Sequence, residues 1–297
     1  MIRAPILPYF LILIIAFSSC EKNINIKLDP TSTDLVVDAS IENGKFPMVT
    51  LSRSLDYFST IDLNVLANHF VHNAIVTMSN GQMTAPLAED STRDSTGLVL
   101  YFYTFHASDS SIRFHGEFNT TYDLQIVVDN KTYTATTTIP TVAKYIDSLW
   151  WTPAPHQTDT SLVEIFAQIT DPPGLGNYTR YFTSVNNGPY YPGLNSVFDD
   201  QITDGTTYSV MVPQGVNRNA PIDANTYGLF RKGDQAIIKY ANIDKATYDF
   251  WRTMEYNYGS VGNPFSTPTV VISNISNGAL GYFGGYAAQY KQFFVPY

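Results

Sequence analysis

The sequence predicts a mainly all-β protein: an N-terminal immunoglobulin-like β-sandwich, then a C-terminal β domain with one prominent helix at about residues 244–258. Three observations predict it. Apolar residues recur with period 2 in short runs, as where Tyr122, Leu124, Ile126 and Val128 alternate with Asp123 and Gln125. Those runs are crowded with β-branched and aromatic residues, the types that suit a pleated, half-buried surface. One long stretch, Lys245–Tyr258, is free of Gly and Pro and carries an apolar stripe at helical spacing.

Each element follows from its local pattern. Leu35–Ile41, the turn Glu42-Asn43-Gly44-Lys45 and Met48–Leu51 read as a hairpin. Ile75–Ser79 with Asn80-Gly81 gives a second strand and turn. Leu98–Phe105 is dense in aromatics and reads as a buried strand. Asp129-Asn130 closes a tight turn into Tyr133–Ile139, and Tyr122 stands where a tyrosine corner would. Ile139-Pro140-Thr141 marks a boundary, dividing residues 34–140 from 141–297. Beyond it, Tyr145–Trp151, the run from Val163 to Ile169, Tyr178–Val185, Tyr208–Val212 and Gln235–Ala241 read as strands. Asp171-Pro172-Pro173-Gly174-Leu175-Gly176 is a rigid turn. Residues 186–207 and 213–233, rich in Gly, Pro, Asn and Asp, read as long loops, where binding usually resides. Asp244 is a good N-cap, Phe250, Trp251, Met254 and Tyr258 form the stripe, and Gly259 can end the helix. Gly278, Gly281, Gly284 and Gly285 fit positive φ, bulges or close strand packing better than a dinucleotide loop.

Composition bounds the function. Charged residues are 14% and aromatics 14%, the reverse of a disordered chain. A net charge of −9 argues against nucleic acid and against electrostatic docking on anionic lipid. A single cysteine excludes an internal disulfide and a Cys-based metal cluster.

That cysteine has a telling position. Residues 1–19 read as an export signal: Arg3 is the positive region, and Ile6–Phe17 is apolar but too short to span a bilayer. Ser18-Ser19-Cys20 resembles a lipobox, in which the thiol of Cys20 is acylated and becomes the mature N-terminus. Several acyl chains on one residue anchor durably, whereas a single chain is marginal. Residues 20–33 are then a lipid-anchored polar linker.

Candidate site residues are few. Asn187-Gly188-Pro189-Tyr190-Tyr191-Pro192-Gly193 is a loop sequence, so Tyr190, Tyr191 and the nearby Phe198 are candidates to stack on a ligand. Asp199, Asp200 and Asp204 could gather oxygens for Ca²⁺, without the alternating acids of an EF-hand. His69-x-x-His72 has the spacing of two ligands on one helix face, with no third ligand beside it. No G-x-S-x-G, H-E-x-x-H or P-loop pattern is present, and no catalytic residue is nominated.

Several longer segments carry a resemblance. They include Asp147-Ser148-Leu149-Trp150-Trp151, Thr170-Asp171-Pro172-Pro173-Gly174-Leu175-Gly176-Asn177-Tyr178, Ser273-Asn274-Ile275-Ser276-Asn277-Gly278 and Gly281-Tyr282-Phe283-Gly284-Gly285-Tyr286. Their order resembles a lipoprotein family of Bacteroidetes known as domain of unknown function 4249, over nearly the whole mature chain. The resemblance implies an envelope lipoprotein working with a nutrient importer; the outer membrane is the expected place, its cell-surface face favoured over the periplasmic one. It implies a TonB-dependent receptor as partner, and it supplies no catalytic residues. The leading expectation is a ligand-binding or accessory subunit of such an uptake system. The alternatives are a cell-surface hydrolase of glycan or peptide, which needs two carboxylates or a nucleophile with a base, and a structural or adhesive β module.

Overall fold

Leu35, Val37, Ala39 and Ile41 alternate with more polar neighbours, so one side of their strand is apolar, and that side is buried. They form β1 (Leu35–Glu42), and a turn with Gly44 at φ +75° returns the chain as antiparallel β2 (Met48–Arg53). The computed structural model describes residues 34–55, 69–93, 97–106, 112–260, 267 and 269–297. Residues 1–33, on which the expectations of an export signal, an acylated Cys20 and a linker fall, lie outside the described residues.

The remaining N-terminal strands are β3 (Ile75–Ser79), β4 (Thr84–Arg93), β5 (Val99–Thr104), β6 (Thr120–Val128) and β7 (Lys131–Ile139). Asp129 and Asn130 both have positive φ, 51° and 58°, as a two-residue hairpin turn between β6 and β7 requires. β4 pairs with β3 over its first four residues and with β5 over the rest, so it passes from one layer to the other. Val37, Leu51, Met78, Tyr103, Leu124 and Ile126 meet between the layers as the core of a β-sandwich. The Tyr122 hydroxyl accepts a hydrogen bond from the Glu117 amide at 2.7 Å, five residues upstream, as a tyrosine corner would.

The C-terminal half supplies β8 (Tyr145–Pro153), β9 (Leu162–Thr170), β10 (Tyr178–Val185), β11 (Tyr191–Phe198), β12 (Thr207–Met211), β13 (Phe230–Arg231), β14 (Gln235–Ile243) and β15 (Leu280–Phe294). Between the last two lies α1 (Lys245–Ser260), the one α-helix among the described residues. Asp244 caps it, accepting from the Thr247 amide at 2.8 Å. Its other carboxylate oxygen takes the Thr137 hydroxyl and the Thr138 amide of β7.

An eleven-stranded sheet runs β11-β10-β14-β15-β1-β2-β5-β4-β3-β6-β7, with β15 parallel to β1. The sheet curls until β7 returns against β15. Gly285 makes that approach possible: a Cβ there would lie 2.5 Å from the Thr138 carbonyl oxygen. The edge of β7 is covered by Asn274–Asn277, with Ser276 and Thr134 exchanging hydrogen bonds at 2.7–2.8 Å. A second sheet holds β12 and β13 on one side of β9 and β8 on the other. The β10–β14 region of the large sheet is therefore covered twice. Tyr181, Ile238 and Tyr240 pack toward the second sheet. Arg180 and Phe182 lie on the opposite face, where α1 sets Trp251 over the Arg180 guanidinium with 3.4 Å from its central carbon to the ring centroid.

Four expectations need correction. The two expected loops are not all loop: within 186–207, Tyr191–Phe198 forms β11, whose Pro192 and Gly193 disguise an edge strand bulged against β10, and within 213–233, Phe230–Arg231 forms β13 against β9. The helix runs through Gly259 to Ser260. Its buried residues are Thr247, Tyr248, Phe250 and Glu255, while Tyr258 points out of the core at 56% exposure. β5 is half-buried rather than buried, with only Tyr103 fully inside.

Candidate functional site

Between β8, β9 and β12 on one side and β10, β11 and β14 on the other lies a cavity of about 300 Å³. Its position follows from side-chain parity. Ala167 and Ile169 of β9 and Ile238 and Tyr240 of β14 are inward residues of facing sheets, and small Ala167 leaves the space open. Tyr181, Phe198 and Tyr208 add aromatic walls, with the Tyr181 and Phe198 rings stacked at 6.2 Å. Asp199, Thr203 and Ser209 are the polar groups of the lining. A largely apolar cleft with a few convergent polar groups is the usual form of a small-molecule site.

Two hydroxyls are buried in this region. Tyr240 donates to the Thr179 hydroxyl at 3.2 Å; burial, with Tyr208 and Asp171 nearby, pushes its hydroxyl well above the usual tyrosine value. Among the described residues Tyr181 has no hydrogen-bond partner for its hydroxyl, which lies over Gly193, where a Cβ would be 2.0 Å away. Burial, and then the charges of Tyr227 and Glu255, push Tyr181 up as well.

One end of the cavity is held by a buried ion pair. The Lys144 ammonium meets Asp171 Oδ2 at 2.8 Å, and both side chains are 0% exposed. Lys144 also donates to Thr203 Oγ1 at 3.2 Å and to the Asp199 carbonyl at 3.3 Å, both residues of the cavity wall. The Thr203 hydroxyl donates to Asp171 Oδ2 at 2.8 Å, and Asp171 Oδ1 has no partner among the described residues. The pair was missed in the sequence, where Lys144 shows only as the lone charge in Val142-Ala143-Lys144-Tyr145-Ile146.

The structure separates the residues proposed from sequence. Phe198 lines the cavity. Tyr191 turns its carbonyl toward Gly215, where a Cβ would lie 1.9 Å away. Tyr190 packs edge-on against Tyr290 at 5.8 Å. Tyr290 donates to Glu42, which also pairs with Lys239 and, at 2.7 Å, with Lys45. Burial, followed by that bond to Glu42, pushes the Tyr290 hydroxyl up to about 12.

Asp199, Asp200 and Asp204 act as loop fasteners. Asp200 accepts from the amides of Gly176 and Asn177, both at 2.8 Å, and Asp204 from Gly174 at 2.6 Å. Burial would raise the Asp200 carboxyl, but those two amides outweigh it and hold it below the usual range. Asp199 accepts the Tyr248 hydroxyl at 3.0 Å. Among the described residues no group of three or more His, Cys, Asp or Glu side chains is placed to hold a metal ion. His69 and His72 do not share a helix face, because their segment is not helical; His72 instead pairs with Glu89 at 2.6 Å.

No curated protein matches the chain. Residues 21–292 match the family described as Domain of unknown function (DUF4249), so this cavity-bearing β protein belongs to that family over nearly its whole length.

Proposed function

We propose that the chain is a lipid-anchored envelope protein that captures a small apolar ligand, working as a binding or accessory subunit of a TonB-dependent outer-membrane uptake system. The observation that carries the capture is the cavity of about 300 Å³ between the two sheets, walled by Tyr181, Phe198, Tyr208 and aliphatic side chains. The anchoring rests on Ser18-Ser19-Cys20 at the end of an apolar segment. The receptor partnership and the envelope setting rest on the resemblance to a Bacteroidetes lipoprotein family, and the cell-surface face of the outer membrane is part of the same proposal.

A neutral environment-sensitive dye such as Nile red tests the capture. Wild type brightens the dye saturably, and Ala167→Phe, which fills the cavity from β9, abolishes the response while the melting temperature is kept or raised. Equal brightening by both proteins would remove the cavity from the proposal. Membrane fractionation of Cys20→Ser tests the anchor, protease shaving of intact cells the face, and pull-down from solubilised outer membrane the receptor.

A further inference from the structure

A second cavity, of about 400 Å³, shares no lining residue with the first. It lies between β11, the 213–229 loop and the C-terminal turns of α1. Arg218 forms part of its wall and is immobilised there. One terminal nitrogen donates to the carbonyls of Gly193 and Leu194 at 3.1 and 3.0 Å and lies 3.4 Å from Glu255 Oε1. The guanidinium stands 4.8 Å from the Tyr258 ring centroid. Its Nε–H is buried and has no acceptor among the described residues, a costly arrangement that sets this arginine apart from an ordinary surface one.

The rest of the wall narrows the chemistry. Glu255 accepts from both the amide and the hydroxyl of Ser196, so its charge is hydrogen-bonded and balanced by Arg218. The negative end of the α1 dipole faces the same space, and the last turn of the helix carries no basic residue. An anion is therefore disfavoured despite the arginine. Asn195 and Asn219 add two exposed amide side chains, each able to donate and accept. Leu194, Ile222 and Tyr258 supply apolar surface between these planar polar groups. A purely apolar ligand would cover the arginine and the amides without replacing their hydrogen bonds.

We propose that this cavity binds a neutral polyhydroxylated ring, a pyranose-type sugar unit. Its hydroxyls meet Arg218, Asn195 and Asn219, and its C–H surface lies on Tyr258 and Ile222. The site is independent of the apolar cavity between the sheets.

Saturation-transfer NMR and calorimetry with glucose, galactose, mannose and N-acetylglucosamine test it, with glucuronate and cyclohexanol as comparison ligands. Tyr258 and Asn219 are exposed, so Tyr258→Ala and Asn219→Ala keep the fold, checked by an unchanged melting temperature. At least one neutral sugar binds wild type, and each variant weakens it about threefold to tenfold, the worth of one lost neutral hydrogen bond or stacking contact at a partly exposed site. Nile red binding stays unchanged in both variants. The proposal is overturned if no sugar binds, if glucuronate or cyclohexanol binds more tightly than every neutral sugar, or if sugar binding survives both substitutions.

Discussion

Replacing Lys144 by Met should be among the most damaging single changes in the chain. The lysine side chain is 0% exposed and its ammonium serves three acceptors: Asp171 Oδ2 at 2.8 Å, Thr203 Oγ1 at 3.2 Å and the Asp199 carbonyl at 3.3 Å. Methionine fills most of the volume but supplies no charge. Among the described residues the Asp171 side chain is then left with the Thr203 hydroxyl alone, since its Oδ1 already has no donor there. Breaking a buried pair from one side costs about 3–5 kcal/mol, because the remaining charge is uncompensated. At about 2–4 °C per kcal/mol for a chain of this size, the melting temperature falls by roughly 6–20 °C. Lys144→Met with Asp171→Leu removes both charges, and the double variant lies within about 1–4 kcal/mol of wild type on the stable side or level with it. Urea unfolding of the two single variants and the double variant gives the coupling energy directly. A loss below about 1 kcal/mol for Lys144→Met, or a double variant as unstable as the sum of the singles, would refute the argument.

Other outcomes follow from single positions. Tyr181→Phe removes a buried hydroxyl that has no partner among the described residues, so thermal denaturation should show no loss of stability and a gain of up to about 1–3 kcal/mol. Gly285→Ala places a methyl group 2.5 Å from the Thr138 carbonyl, where backbone must yield; urea unfolding should show a cost of about 1–3 kcal/mol or more. Burial would raise the Glu42 carboxyl, but the Lys239 charge, with hydrogen bonds from Lys239, Lys45 and Tyr290, holds it below the ordinary 4.5. Its folded value is depressed, so its stabilisation is present above that pH and is lost as pH falls through the lowered value. Glu42→Gln should therefore be less stable than wild type at pH 7, with the gap closing below about pH 4.5 in melting curves run across acid pH.

Much of the architecture was legible because its signals are local. The alternation at Leu35–Ile41, the Asn80-Gly81 and Asp129-Asn130 turns and the Asp244 cap depend on residues a few positions apart, and each appears where the pattern placed it. β11 was hidden because Pro192 and Gly193 carry the same turn signal whether they sit in a loop or in an edge strand, and only pairing with β10 distinguishes the two. The glycines of β15 pointed to close packing but not to a partner. That partner is β1, some 240 residues away in sequence, and the strands run parallel.

The candidate site divides in the same way. The β class, the helix with its start, and the family were legible from local pattern and motif order alone. The sequence also pointed to Phe198, which lines the cavity. Which inward residues face one another was decided by the packing of two sheets, as were the volume left beside Ala167 and the orphan hydroxyl of Tyr181. The pairing of Lys144 with Asp171, 27 positions later, and of Arg218 with Glu255, 37 positions later, also belongs to the tertiary structure. A period of 2 says that a side chain is inward; it carries no information about what lies across the core, because that depends on contacts between segments far apart in the chain.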